Sequence, residues 1–306
     1  MKSRFVCLIL LAALGGCRET AKKAPVQQQP EGFRMVEVPA MLSSPQERAE
    51  FVTKNYWNHF DFTDTTLISR PAVTEQAFAD YVNILLNVPT DMAAASVRTT
   101  LSKAEADTAM YRYFTTLFEK YLYDPNSPMR NEEVYIPVLE AIVASDRVDE
   151  ADKIRPRYRL ALAQKNRPGR PAADFTYTLS DGRTGTLYGV KADYVILFIN
   201  NPGCTACKES IEQIEQSPLV SRMIGDGRVK VVALYPDEDM KAWRDYLSHF
   251  PPTWINGYDA GLKIKEGELY DLKAIPTLYL LSRDKTVILK DAPFGAIEQY
   301  LGQQAQ

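Results

Sequence analysis

The tetrapeptide Cys204-Thr205-Ala206-Cys207 constrains this chain more than any other feature, because of what stands on either side of it. The apolar run Tyr194-Val195-Ile196-Leu197-Phe198-Ile199 reads as a buried strand. Asn200-Asn201-Pro202-Gly203 reads as a turn, and Lys208-Glu209-Ser210-Ile211-Glu212-Gln213-Ile214 as a helix. A strand that delivers a cysteine to a helix N-terminus sets its sulfur beside free backbone N–H groups and the positive end of the helix dipole. That setting favours the thiolate, which is the attacking species. Positions three apart on a helix share a face, so Cys207 can reach back to Cys204 and close a disulfide. Both sulfurs of a two-electron couple therefore fit within one helical turn.

The remaining cysteines belong to the N-terminus. Met1-Lys2-Ser3-Arg4 is a basic start, the run from Phe5 to Leu14 is apolar, and Gly15-Gly16 are small residues before a cut site. This is the pattern of a secretory signal, too short for an ordinary spanning helix. Leu14-Gly15-Gly16-Cys17 resembles the lipobox of bacterial lipoproteins, which implies that Cys17 is lipidated and becomes the mature N-terminus. Cys7 then leaves with the signal, and of the 4 cysteines only Cys204 and Cys207 remain as thiols. One close pair in an exported chain is not the framework of a disulfide-stapled scaffold. Arg18 stands where an aspartate marks inner-membrane retention in some bacteria. The expected location is the cell envelope, lipid-anchored in the outer membrane and facing the periplasm.

At 306 residues the chain is long enough for two ordinary domains. Its 45% hydrophobic and 25% charged content is that of a globular protein. A net charge of −3 without a basic stripe gives nucleic acid nothing to bind. His59 has no second His or Cys near it in sequence, and the Cys204–Cys207 pair has no further ligand nearby, so no metal and no cofactor is expected.

After Cys17 the polar, proline-punctuated stretch around Lys22-Lys23-Ala24-Pro25-Val26-Gln27-Gln28-Gln29-Pro30 reads as a flexible tether, taken over 17–43, with the signal peptide over 1–16. Residues 44–166 read as helical. Ser44-Pro45 is an N-cap followed by proline at the first helical position, and the face that follows carries Phe51, Asn55, Trp57 and Phe60. Thr74 is expected to start a second helix with Phe78, Tyr81, Ile84 and Leu85 on one face. Ser102-Lys103-Ala104-Glu105 matches a capping box before a helix bearing Tyr111, Phe114, Leu117, Phe118 and Tyr121. Two more helices are expected over 132–145 and 148–164. Aromatics at helical spacing read as core rather than as a ligand site.

Asn166-Arg167-Pro168-Gly169-Arg170-Pro171 ends the helical period. Beyond it Phe175-Thr176-Tyr177-Thr178-Leu179 and Thr184-Gly185-Thr186-Leu187-Tyr188 alternate as a hairpin. Further strands are expected at 194–199, 229–235, 276–281 and 286–289, with a helix capped by Asp237 running through Trp243 and Tyr246, and a short terminal helix. Strand–helix alternation closed by a hairpin gives a mixed sheet between helices.

With Pro171-Ala172-Ala173-Asp174-Phe175, the Asp181-Gly182 turn, the C-x-x-C after a strand and Ala274-Ile275-Pro276-Thr277, the span 168–306 resembles the thioredoxin fold, in its exported TlpA/ResA-like branch of thiol–disulfide oxidoreductases. The fold class expected is a two-domain α+β chain, an all-α N-terminal domain followed by an α/β thioredoxin-like domain. The resemblance implies a cis Pro276 whose loop packs against the redox pair, and an Ile275 that offers backbone groups to an extended client; Gly203 stands beside them, where the family usually has tryptophan or another bulky residue. The stretch Asn55-Tyr56-Trp57-Asn58-His59-Phe60-Asp61-Phe62 resembles the uncharacterised domain that precedes thioredoxin-like domains in Bacteroidetes lipoproteins. Phe198 occupies the position of the buried acid of thioredoxins proper, and Thr205-Ala206 matches neither strong reductants nor strong oxidants, so the direction of electron flow stays open.

The activity expected is thiol–disulfide exchange, with Cys204 attacking and Cys207 resolving. Its partners are client protein thiols or disulfides, a redox partner that recycles the pair, and the membrane through Cys17. Two other readings stand beside it. One is a non-catalytic lipoprotein adaptor whose helical domain binds a partner and whose disulfide is structural. The other is a peroxidase-like thiol enzyme, since Asn201-Pro202-Gly203-Cys204-Thr205 echoes peroxiredoxin loops, although Asn201 stands where those need a hydroxyl residue.

Overall fold

Ser44 opens the first helix by a reciprocal cap: its hydroxyl accepts the Glu47 N–H at 3.1 Å, and the Glu47 carboxylate accepts the Ser44 N–H at 3.2 Å. The computed structural model describes residues 32–304. Cys7, Cys17, the signal segment and the first part of the tether lie outside the described residues. Among the described residues six α-helices build the N-terminal half: α1 (Pro45–Asn55), α2 (Pro71–Leu85), α3 (Thr90–Ala104), α4 (Thr108–Leu122), α5 (Glu132–Ala144) and α6 (Ile154–Ala163), with a 3₁₀ turn over Thr65–Ser69.

Their shared interior is aromatic. Trp57 lies with its ring centroid 5.1 Å from Phe114 and 5.4 Å from Tyr81, and Phe78 meets Phe118 edge-on at 4.7 Å. Two of its buried tyrosine hydroxyls find partners: Tyr81 bonds Ser96 and Thr100, Ser96 donates to the Thr53 carbonyl, and Tyr56 donates to the Ala77 carbonyl. Three expectations are corrected here. The second helix starts at Pro71, not Thr74, because the proline serves as its first residue. Ser102-Lys103-Ala104-Glu105 is no capping box; it spans the end of α3, and α4 is capped by Asp107, whose carboxylate accepts from the N–H groups of Ala109 and Met110. The last helix begins at Ile154, after turns that occupy the stretch from Val148.

The C-terminal half contains β1 (Thr176–Leu179), β2 (Thr184–Thr186), β3 (Tyr194–Ile199), α7 (Thr205–Gln216), α8 (Pro218–Gly225), β4 (Val229–Tyr235), α9 (Met240–Tyr246), β5 (Ile255–Tyr258), β6 (Thr277–Ser282), β7 (Val287–Leu289) and α10 (Phe294–Gln304). Among the described residues the strands form one seven-stranded sheet in the order β2-β1-β5-β4-β3-β6-β7. β3 runs parallel to β4 and antiparallel to β6, and β4 runs parallel to β5. The apolar run of β3 is explained by burial on both faces. Ile196 and Phe198 point into a core made with α7, α8 and α10, while Val195, Leu197 and Ile199 point into a second core with Phe175, Leu187, Tyr270 and Tyr279. The cap of α9 is Asp239 rather than Asp237. β5 was not expected, since Asn256 and Gly257 are poor strand residues. Gly257 is required there, because a Cβ on it would come within 2.9 Å of the Tyr177 side chain that covers it.

Among the described residues no helix is long and apolar enough to cross a membrane.

Candidate functional site

The central strand β3 aims its C-terminal end at the redox pair, and the turn after it is held from both sides. Asn200 is buried; its N–H donates to the Leu234 carbonyl at 3.0 Å and its amide nitrogen to the Phe198 carbonyl at 3.2 Å. Asn201 donates to the Asp237 carboxylate at 3.2 Å, joining the turn to the end of β4. Gly203 takes φ +75°, the left-handed region that lets the chain turn into α7 without Cβ strain. Cys204 then has extended backbone and is the N-cap of α7, its sulfur accepting the Cys207 N–H at 3.1 Å.

Cys204 and Cys207 form a disulfide with their Cα atoms 5.1 Å apart. The two sulfurs differ in surroundings. Cys207 is fully buried among Phe198, Ile211 and Trp254, whereas Cys204 is half-buried at the helix start. Facing Cys204 is the loop before β6. The Ile275–Pro276 peptide is cis, and the Ile275 carbonyl oxygen lies 3.6 Å from Cys204 Sγ. Thr277 is buried and donates to the Ala274 carbonyl at 2.6 Å, closing that loop on itself. Gly203, Cys204, Cys207, Ile275 and Pro276 are thus brought together by two loops at one end of the sheet; Cys17 is not among the described residues. His59 is exposed, on the helical half. Among the described residues no group of three or more His, Cys, Asp or Glu is placed to hold a metal ion.

A second set of residues beside the site carried no sequence signal. Lys273, three positions before Pro276, pairs with Glu132 at the first turn of α5 and with Asp271 at 3.0 Å. Lys290, at the end of β7, pairs with the same Glu132 and donates to the Ala163 and Lys165 carbonyls at the end of α6. Arg130 meets Asp291 at 3.1 Å, and Arg167 holds Glu133 through two nitrogens, at 3.0 and 2.5 Å. Burial alone would lower the Lys273 ammonium, but Glu132 and Asp271 outweigh it and hold it above the ordinary lysine range. Burial pushes the Asp291 carboxyl up, against the opposing pull of Arg130 and Lys273. Arg130, Glu132, Glu133, Lys273, Lys290 and Asp291 line a cavity of about 280 Å³ between the two halves, with Tyr123, Leu289 and Pro293 as its apolar wall.

Comparison with known proteins agrees with this architecture. The thioredoxin-like family matches residues 192–287, and a domain of unknown function, DUF5106, matches residues 16–166. A thioredoxin-like protein from Bacteroides caccae, known from a crystal structure, is 52% identical; the match covers 89% of this chain and 98% of that one, with a TM-score of 0.86. The C-terminal domain of an uncharacterised protein from Bacteroides fragilis is 51% identical over 45% of this chain and 98% of its own, with a TM-score of 0.44. A conserved protein of unknown function from the same species is 36% identical over 44% of this chain and 98% of its own, with a TM-score of 0.43. No curated protein matches the chain. The chain belongs to the thioredoxin-like family, in the form that carries an N-terminal DUF5106 domain.

Proposed function

We propose that the protein is an exported, lipid-anchored thiol–disulfide oxidoreductase that acts on protein disulfides through Cys204 and Cys207. The observation that carries this reading is the asymmetry of the pair: a half-buried sulfur at a helix N-terminus, facing the Ile275 carbonyl before cis Pro276, with its partner buried behind it. In the reducing direction, the Cys204 thiolate attacks one sulfur of a client disulfide. A Cys204–client bond forms, and the other client sulfur leaves as a thiolate. Cys207 then attacks Cys204 as a thiolate, the second client sulfur leaves, and the pair ends as the disulfide. Two electrons pass to the client, and an external dithiol restores the pair. The same steps reversed oxidise a client dithiol, and the potential of the pair sets the direction, with 30 mV equivalent to about 1.4 kcal/mol.

The test offers the reduced protein a protein disulfide such as that of insulin and, separately, hydrogen peroxide, with dithiol consumption as the readout. Catalysed consumption with the protein disulfide and none above background with peroxide is the expected result. Catalysis of peroxide alone, or of neither substrate, would end this reading.

Attachment at Cys17 is part of the same proposal, supported by Leu14-Gly15-Gly16-Cys17 and the polar tether behind it. Intact mass of the protein from an outer-membrane fraction is expected to correspond to a chain starting at Cys17 and carrying lipid. A product that retains residues before Cys17, or that fractionates without membrane, argues against it.

A further inference from the structure

The loop that faces Cys204 is poorly tied to its own sheet. Among the described residues, no backbone hydrogen bond joins residues 271–276 to the rest of the chain; the ladder of β6 with β3 begins at Thr277, opposite Ile199. Leu272 and Ile275 pack on the two cores, one on each face. The strongest polar tie of the loop is Lys273, and it leads out of the thioredoxin-like half. Its side chain is only 11% exposed, and its ammonium lies between Asp271, Glu132 and the Tyr123 ring, 5.2 Å from the ring centroid. Glu132 and Tyr123 both belong to the helical half, 141 residues separating Glu132 from Lys273.

Glu132 is itself held in place. It is the first residue of α5, whose N-cap Asn131 accepts the Val134 N–H at 3.1 Å. Its second oxygen meets Lys290, a lysine 6% exposed whose hydrogen bonds go to the carbonyls at the end of α6. A single carboxylate thus joins the start of α5 and, through Lys290, the end of α6 to the loop that sits against the reactive sulfur. Removing one partner from a buried ion pair is costly; without Glu132, Lys273 keeps only Asp271, a neighbour on its own loop, and the charged tie to the helical half is lost.

We propose that Glu132 is a positioning residue of the redox site, and that the helical half serves as the backstop that holds the Lys273–Pro276 loop against Cys204. The loop's importance for clients rests on the oxidoreductase reading above, whereas the mechanical link stands on the geometry alone.

The test is built so that the two separate. Lys273 is followed by Ala274, so the endoprotease Lys-C can cut there only when the loop leaves its seat. In the full chain, Glu132→Gln is expected to speed cleavage after Lys273 about tenfold, because the rate follows the population of the opened loop. Cleavage after Lys208 and Lys285, followed by mass in the same digests, is expected to stay at the wild-type rate. Glu133→Gln, which loses the neighbouring pair with Arg167 but does not touch the loop, is the control and is expected to change nothing at Lys273. In turnover of a disulfide peptide, Glu132→Gln is expected to raise KM about tenfold with kcat within about twofold, the pattern of lost client binding. If Glu132→Gln does not fold, Glu132→Asp carries the same comparison, keeping the charge while withdrawing it by one methylene. Equal acceleration at all lysines, or no difference between the Glu132 and Glu133 variants, overturns the proposal. Selective cleavage at Lys273 in a protein that turns over no disulfide upholds the link and removes the oxidoreductase reading instead.

Discussion

Changing Cys204 to Ser is expected to reduce disulfide exchange to the uncatalysed level, while changing Cys207 to Ser leaves attack intact and stops the reaction half-way. The reason lies in the separate surroundings of the two sulfurs. Cys204 is the N-cap of α7, where N–H groups not used within the helix and the helix dipole favour negative charge. Its sulfur already accepts the Cys207 N–H. Cys207 is fully buried in the core under Phe198 and Trp254, out of reach of any client. In the reduced protein at neutral pH, iodoacetamide is therefore expected to modify Cys204 faster than Cys207 by about tenfold or more. In Cys207→Ser nothing inside the chain can attack the mixed disulfide, so client adducts on Cys204 accumulate and are visible on non-reducing gels. In Cys204→Ser they are absent. Equal alkylation of the two cysteines, together with no adduct from Cys207→Ser, would falsify the assignment and leave the disulfide a structural link.

This asymmetry was legible because its parts are contiguous: a strand, a four-residue turn with glycine, two cysteines and a helix lie within 194–216. β4 was equally readable, since Val229-Lys230-Val231-Val232-Ala233-Leu234-Tyr235 is apolar but for Lys230 and is rich in β-branched valine. Elements that bury small residues were not. The inward face of α3 is Ala93, Ser96, Val97, Thr100, Leu101 and Ala104, which gives a weak hydrophobic period and does not set this helix apart within the helical stretch. α8 lies outside the sequence-based expectation, although Ser217 caps it and Pro218 opens it, both of them readable signals. β5 escaped because its Gly257 answers to Tyr177 on another strand, not to its own neighbours. The same limit applies to the site. The cysteines and the proline loop announce themselves by local pattern, whereas the link from Lys273 to Glu132 exists only after the chain has folded. A glutamate at the start of a helix has a sufficient local explanation in the helix dipole, so nothing in its own neighbourhood hints at a second role.

Phe114→Ala is expected to cost about 3–5 kcal/mol of stability, the largest loss from a single truncation away from the cysteines. Phe114 is fully buried in α4 and stands at the middle of the aromatic interior. Its ring lies 5.1 Å from Trp57, 5.1 Å from Phe62, and 5.7 Å from both Phe60 and Phe78, in edge-on or tilted arrangements that aromatic pairs favour. Those neighbours come from two separate segments: Trp57, Phe60 and Phe62 follow α1, and Phe78 lies in α2. Truncation removes buried contact from all of them at once, and rings wedged against one another collapse poorly into the space left. Phe114→Leu, which keeps most of the volume, is expected to lose well under half as much. The measurement is guanidinium unfolding followed by Trp57 fluorescence in a chain where Trp243 and Trp254 are replaced by Phe, with the parent of that chain as reference. The comparison also decides what the aromatic stripe is for. A closed core requires the full loss and no gain in affinity for small aromatic compounds. A loss below about 1 kcal/mol means that the ring faces space rather than neighbours, and the helical half would then have to be read as a ligand site.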